Sequence, residues 1–260
     1  MNQLVVAGRT RFFHADFPRD MAQPMGVIFS WHGFGDSLEN HRNIVGLDPD
    51  ANPALPAIVI TPDDSGILPP SGLDWDIDSD ENNVDLAFFE AMLGCLNEQH
   101  DIDAARIYSF GFSAGSVMTA MRHSTYPELL SAVICESGAW FNDQAEIDLV
   151  NVFDVAWNWP ALDSADGGAV LLTHRGPTDV TVLNVLDLEL SAQAAIPFLQ
   201  ANGRVVVDCP HDRGHALHPG VTAAIVSEFI SAHRAGRASP YFSDGIAAAD
   251  FPEGCMLRLP

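Results

Sequence analysis

The sequence predicts an α/β fold, a mostly parallel sheet with helices on both faces. Two patterns and a size lead there. Short apolar runs bounded by turn residues recur along the chain, as expected of strands buried on both faces. Segments with apolar residues at helical spacing lie between them, which is the alternation of a parallel sheet. With 260 residues, 47% of them apolar, the chain can bury a full core without staples. A single domain over 1–260 is therefore expected, since α/β folds often run to this length as one.

In chain order, residues 4–17 read as an antiparallel edge hairpin. Strands follow at Gly26–Trp31, Ala57–Thr61, Arg106–Phe110, Ala132–Glu136, Ala169–His174 and Gly203–Val207. Helices are expected at Asn83–Glu98, Ser113–His123, Val185–Ala201 and Ala223–Ala235. Proline-rich stretches at 49–62 and 69–70 read as loops. The longest insertion between strands, 142–168, is expected to form a small cap. The tail Ser239–Pro260 has little helical pattern and would stay loose unless tied down.

Charge narrows the function. Acidic residues number 35 against 12 basic ones, all arginine, for a net charge of -23. Such a field repels nucleic acid and anionic membranes, so neither is expected as a partner. High ionic strength would screen the self-repulsion. No run of 18 apolar residues suggests a membrane span. The first residues lack the basic head and apolar run of a signal peptide.

Active sites of open parallel sheets gather at the carboxyl ends of the strands. There, Gly111-Phe112-Ser113-Ala114-Gly115 stands between a strand and a helix. This is G-x-S-x-G in the strand-turn-helix setting that lifts a serine hydroxyl above a sheet. Ser113 is the expected nucleophile. A serine needs a base, and His215, after Gly214 and before a helix expected near Pro219, is the choice over His211 and His218. A zinc site made from these three histidines is the weaker rival, because no metal-ligand helix accompanies them. The orienting acid is expected just past the strand ending at His174, at Asp179, with Asp187 as the alternative. Two backbone N–H groups must meet the oxyanion. Ala114 supplies one, and Phe34, or else Gly33, supplies the other from the loop His32-Gly33-Phe34-Gly35. His32 itself reads as structural. Trp75 and Trp140 are expected at the substrate pocket. The run Asp74–Asp80 with Asp85 has part of a calcium-loop spacing, but lacks its glycine and its final glutamate; it reads as a solvated acidic loop.

These motifs, in this order, resemble an α/β-hydrolase. More narrowly the chain resembles the polyhydroxybutyrate depolymerase/feruloyl esterase group, through the Gly111–Gly115 elbow, the run Ile102–Tyr108, the Gly176–Asp179 turn, Gly214-His215 and the Pro252–Cys255 tail. The resemblance implies a serine carboxylesterase acting through an acyl-enzyme on short-chain or aryl esters, small or polymeric. No metal or organic cofactor is expected for that chemistry, and a monomer is expected. A peptidase of the same fold or a non-catalytic binding protein are the alternatives. Cys95 and Cys135 sit in apolar runs and read as buried thiols. Cys209 and Cys255 lie in polar, loop-like surroundings and are expected to pair. Such a bridge favours a secreted or periplasmic enzyme over a cytoplasmic one.

Overall fold

The computed structural model describes residues 1–66, 73–79, 81–140, 159–162, 168–175, 187–246 and 251–260. Among these, one nine-stranded sheet carries the fold. Its strands are β1 (Asn2–Val6), β2 (Arg9–Asp16), β3 (Met25–Trp31), β4 (Ala57–Pro62), β5 (Ile102–Phe112), β6 (Leu130–Glu136), β7 (Ala169–His174), β8 (Val205–Pro210) and β9 (Met256–Arg258). They lie in the order β1-β2-β4-β3-β5-β6-β7-β8-β9. From β4 to β8 neighbours run parallel. The antiparallel members are the edges: β2 on β4, β1 on β2 and β9 on β8. The expected hairpin is present, turned by Ala7 and Gly8, both at positive φ, as a two-residue turn between twisted strands requires.

The central strands are buried on both faces, so they read as continuous apolar runs. Alternate residues feed two cores. Val27, Phe29 and Trp31 of β3 join Val133 and Cys135 of β6 on one side. Ile28, Ala132 and Ile134 join the other. Helix α1 (Leu38–Val45) was not legible as a helix, yet its ends are marked. The Ser37 hydroxyl caps it by accepting from the Asn40 amide, and Gly46 closes it in the left-handed region. Helices α2 (Val84–Gln99), α3 (Ala114–Thr125) and α4 (Leu188–Ala201) cover the first core. Helix α5 (Ala223–Ser231) covers the second with Val226, Phe229 and Ile230.

The helix after His215 begins at Ala223, where the helical spacing predicts it, capped by Thr222; Pro219 stays outside it, because His218 Nδ1 accepts from the Gly220 and Val221 amides and holds a turn there. The tail is tied down, as the expected bridge requires. A short helix, α6 (Tyr241–Asp244), and then β9 give it structure, and Cys255 is bonded to Cys209 as expected. Cys95 and Cys135 are free; Cys135 is buried and Cys95 only half-buried. No helix among the described residues is long and apolar enough to cross a membrane. Most of the expected cap, 142–168, lies outside the described residues.

Candidate active site

The end of β5 makes a turn that only certain residues permit. Ser113 has φ 53° and ψ -120°, a strained conformation for any side chain with a Cβ. The strain persists because the surroundings over-determine it. A Cβ on Gly111 would fall 2.0 Å from the Gly115 carbonyl oxygen, and one on Gly115 would fall 2.1 Å from the Trp31 carbonyl oxygen. The glycines of the motif are therefore required by backbone passing backbone. The Ser113 amide donates to the Glu136 carbonyl at 2.9 Å, which ties the turn to β6.

His215 reaches this serine from the loop after β8, 102 residues later. Its Nε2 lies 2.8 Å from Ser113 Oγ, and its ring packs 5.0 Å from that of Phe112. The competing histidines do other things. His211 Nδ1 accepts from the Arg213 amide and His218 turns the chain as described. Their rings meet edge to face at 5.1 Å, and the three do not converge on a point as zinc ligands would. Asp179 lies outside the described residues. Asp187, the alternative acid, caps α4 by accepting from the Leu190 amide.

Ala114 opens α3, directly after Ser113, where the first amides of a helix have no partner within it. The loop His32–Gly35 arches beside the elbow: a Cβ on Gly33 would lie 3.3 Å from Ser113 Cβ. The Phe34 side chain is exposed. The loop is braced from behind. Trp75 Nε1 donates to the His32 carbonyl at 2.9 Å, and the Gly35 amide donates to Asp74 at 2.5 Å. Burial raises the Asp74 carboxyl above its ordinary range, an effect the Gly35 bond partly offsets.

The tryptophans depart from expectation. Trp75 is 0% exposed and Trp140 2% exposed. Trp75 packs edge-on against Trp31 beneath the His32–Gly35 loop, and the Trp140 amide donates to Ser191 of α4. Among the described residues both rings pack in the core. Asp85 is a buried partner of Arg11 at 2.6 Å and accepts the Asp76 amide at 2.7 Å.

One residue of the site escaped the sequence reading. Glu136, at the end of β6, is 1% exposed. Its carboxyl accepts the His218 amide at 2.7 Å, so it fastens the loop that carries His215. Burial pushes this carboxyl up to about 8, against the pull of the His218 amide. The available signal was an acid ending an otherwise apolar strand, Ala-Val-Ile-Cys-Glu.

This arrangement has close structural parallels. The native structure of sOPH superposes with a TM-score of 0.73, covering 98% of this chain and 93% of that one at 18% identity. The chain has the α/β-hydrolase fold. Other structures with this α/β-hydrolase architecture include the S-formylglutathione hydrolase of Agrobacterium tumefaciens, with a TM-score of 0.60 at 16% identity over 88% of this chain and 89% of that one. Est1E of Butyrivibrio proteoclasticus, solved with ferulic acid, matches with a TM-score of 0.57 at 13% identity over 88% and 96%. No family model matches the chain. By sequence the α/β-hydrolase chain is 29% identical over 142 residues to feruloyl esterase D of Neurospora crassa. That alignment takes in 52% of this chain and 47% of the relative, so the match spans about half the relative's length.

Proposed function

We propose that the chain is a serine carboxylic ester hydrolase. The observation that carries this reading is the 2.8 Å approach of His215 Nε2 to Ser113 Oγ at a strained, glycine-flanked turn. A hydroxyl is a weak nucleophile until a base takes its proton. In the reaction, His215 Nε2 accepts the Ser113 proton as Oγ attacks the ester carbonyl. The Phe34 and Ala114 amides receive the oxyanion. His215 then returns the proton to the departing alkoxide, which leaves as the alcohol. Water, deprotonated by the same Nε2, releases the acid from the acyl-enzyme. Asp179 holds the other ring nitrogen and stabilises the imidazolium.

Short-chain or aryl esters, including hydroxycinnamate and hydroxyalkanoate esters, are the proposed substrates. The sequence similarity to a feruloyl esterase and the architecture shared with a ferulic acid complex support the aryl side of that range. The Cys209–Cys255 bridge supports work in an oxidising compartment. A fluorophosphonate probe tests the chemistry: it should label Ser113, and labelling should vanish when His215 is replaced by alanine. Absence of labelling in an active preparation would overturn the assignment. A panel of p-nitrophenyl acetate, methyl ferulate and long-chain esters tests the substrate class; preference for long acyl chains would overturn it. Asp179→Asn should lower turnover by orders of magnitude by disfavouring the productive tautomer, and a larger loss at Asp187 would move the acid there.

A further inference from the structure

His32 follows β3, and Asp63 and Asp64 follow β4, its parallel neighbour. The three side chains therefore meet at the carboxyl edge of the sheet, behind the oxyanion loop. His32 Nδ1 lies 2.9 Å from the Gly33 carbonyl oxygen. A carbonyl can only accept, so Nδ1 carries the hydrogen. In the neutral ring, Nε2 then presents a bare lone pair. His32 is fully buried, and Nε2 has no hydrogen-bond partner. It is aimed at Asp63 Oδ1, 3.9 Å away, and Asp64 Oδ2, 3.8 Å away. All three donor atoms lie within 4.8 Å of one another.

A lone pair facing two carboxylates needs a positive charge between them. A proton on Nε2 would draw the ring into hydrogen-bond contact. His174 shows that arrangement in the same molecule, with Glu189 at 2.6 Å and Asp208 at 2.8 Å. Around His32 the spacing is an ångström longer, beyond any hydrogen bond. It is close to that of two ligands of one small ion: at metal–nitrogen and metal–oxygen distances near 2.1 Å, tetrahedral ligand atoms stand roughly 3.4 Å apart and wider-angled ones up to about 4 Å.

We propose that His32, Asp63 and Asp64 bind a divalent first-row transition ion of the Zn²⁺ or Mn²⁺ type. One imidazole with two carboxylates suits such ions better than Ca²⁺ or Mg²⁺, which take oxygen shells. The hydrogen bond from Nδ1 to Gly33 fixes the ring and its tautomer, as outer partners of metal-bound histidines do. The ion is structural. It ties the end of β4 to the residue that opens the oxyanion loop, and water or further ligands complete its shell from the exposed sides of Asp63 and Asp64.

The test is binding, independent of turnover. Metal-stripped protein, titrated with Zn²⁺ and separately with Mn²⁺ and Ca²⁺ by calorimetry, should take up one Zn²⁺ or Mn²⁺ per chain in preference to Ca²⁺, with a rise in Tm. Asp64→Asn, at a half-buried position, should keep the metal-free Tm and weaken Zn²⁺ binding at least tenfold; His32→Gln should abolish it. Ser113→Ala should bind Zn²⁺ as the wild type does, so this proposal and the ester hydrolase reading fail separately. Absence of stoichiometric Zn²⁺ or Mn²⁺ uptake would overturn the proposal. Unchanged uptake in Asp64→Asn would overturn it too, because the metal would then sit elsewhere on a strongly acidic surface.

Discussion

At the ends of β3 and β5, the side of the candidate site that carries the proposed nucleophile, Ser113, is held by backbone against backbone. Gly111 and Gly115 leave no room for a methyl group, Gly115 passing the Trp31 carbonyl of β3, and Ser113 is held in its strained turn by backbone contacts, its amide donating to the Glu136 carbonyl. Beyond β8, the side that carries the proposed base, His215, is held by side chains from distant parts of the chain. Glu136 grips the loop at His218, Cys255 anchors its root at Cys209, and His174 joins β7 to Glu189 of α4 and Asp208 of β8. The difference separates two kinds of precision. A geometry set by close backbone approach tolerates almost no substitution, while one set by several side-chain ties degrades in steps.

The largest effect should come from the nucleophile side. Ser113→Ala should lower kcat for p-nitrophenyl acetate on the order of 10³-fold or more, with an unchanged circular dichroism spectrum. His215→Ala should match it, and His211→Ala should cost far less. Equal losses at all three would mean that the pairing at 2.8 Å is not the working one.

Next is the anchor of the base side. The bridge joins residues 46 apart, and the chain-entropy model assigns a loop of that size about 4 kcal/mol. Cys255→Ser should lower urea-unfolding stability by up to that amount. Turnover at low temperature should stay within a few-fold of wild type, since Glu136 still holds the loop. A collapse of activity with little loss of stability would show that the bridge shapes the site itself.

The same contrast explains what could be read in advance. The elbow, the order of the serine and the histidine, and the six central strands were legible because each is written in a short window: an apolar run, a glycine pair, a turn. The Cys209–Cys255 pairing was legible because cysteines are few. Glu136 was not, since its role depends on a loop 82 residues away. Strand β9 was missed because three residues, Met256–Arg258, carry no periodicity and pair only because β8 offers an edge. The burial of Trp75 and Trp140 was not legible, because a sequence does not say which side of a loop a large ring packs on.

Glu136 supplies a sharper test of the side-chain half. A carboxyl raised to about 8 in the folded state holds its proton more tightly than the unfolded chain does. Stability therefore falls as pH rises from about 4.5 to about 8, and levels off above. Glu136→Gln keeps an oxygen for the His218 amide and removes the ionisation. The variant should be more stable than wild type at pH 9, by about 2 kcal/mol or more, and close to it near pH 5. Parallel stability curves for the two proteins would refute the assignment.

The smallest effect concerns Asp208, which serves two cations. Burial alone would raise its carboxyl, but the bonds to His174 and Arg258 bring it below the ordinary range. Burial alone would lower His174, but its bonds to Asp208 and Glu189 raise it. A histidine raised on folding contributes stability fully below its unfolded value near 6.5, and that contribution is lost as pH climbs through the folded value. Above that point Arg258 is the remaining positive partner of Asp208, at 3.0 Å. Arg258 is 40% exposed, so its pair is screened and worth at most about 1 kcal/mol near pH 6. Arg258→Gln should therefore cost little at pH 6 and distinctly more at pH 9, measured by urea unfolding at both. A cost that does not grow with pH would mean that His174 and Arg258 act on Asp208 independently, and that the base side of the site is less of a network than its contacts indicate.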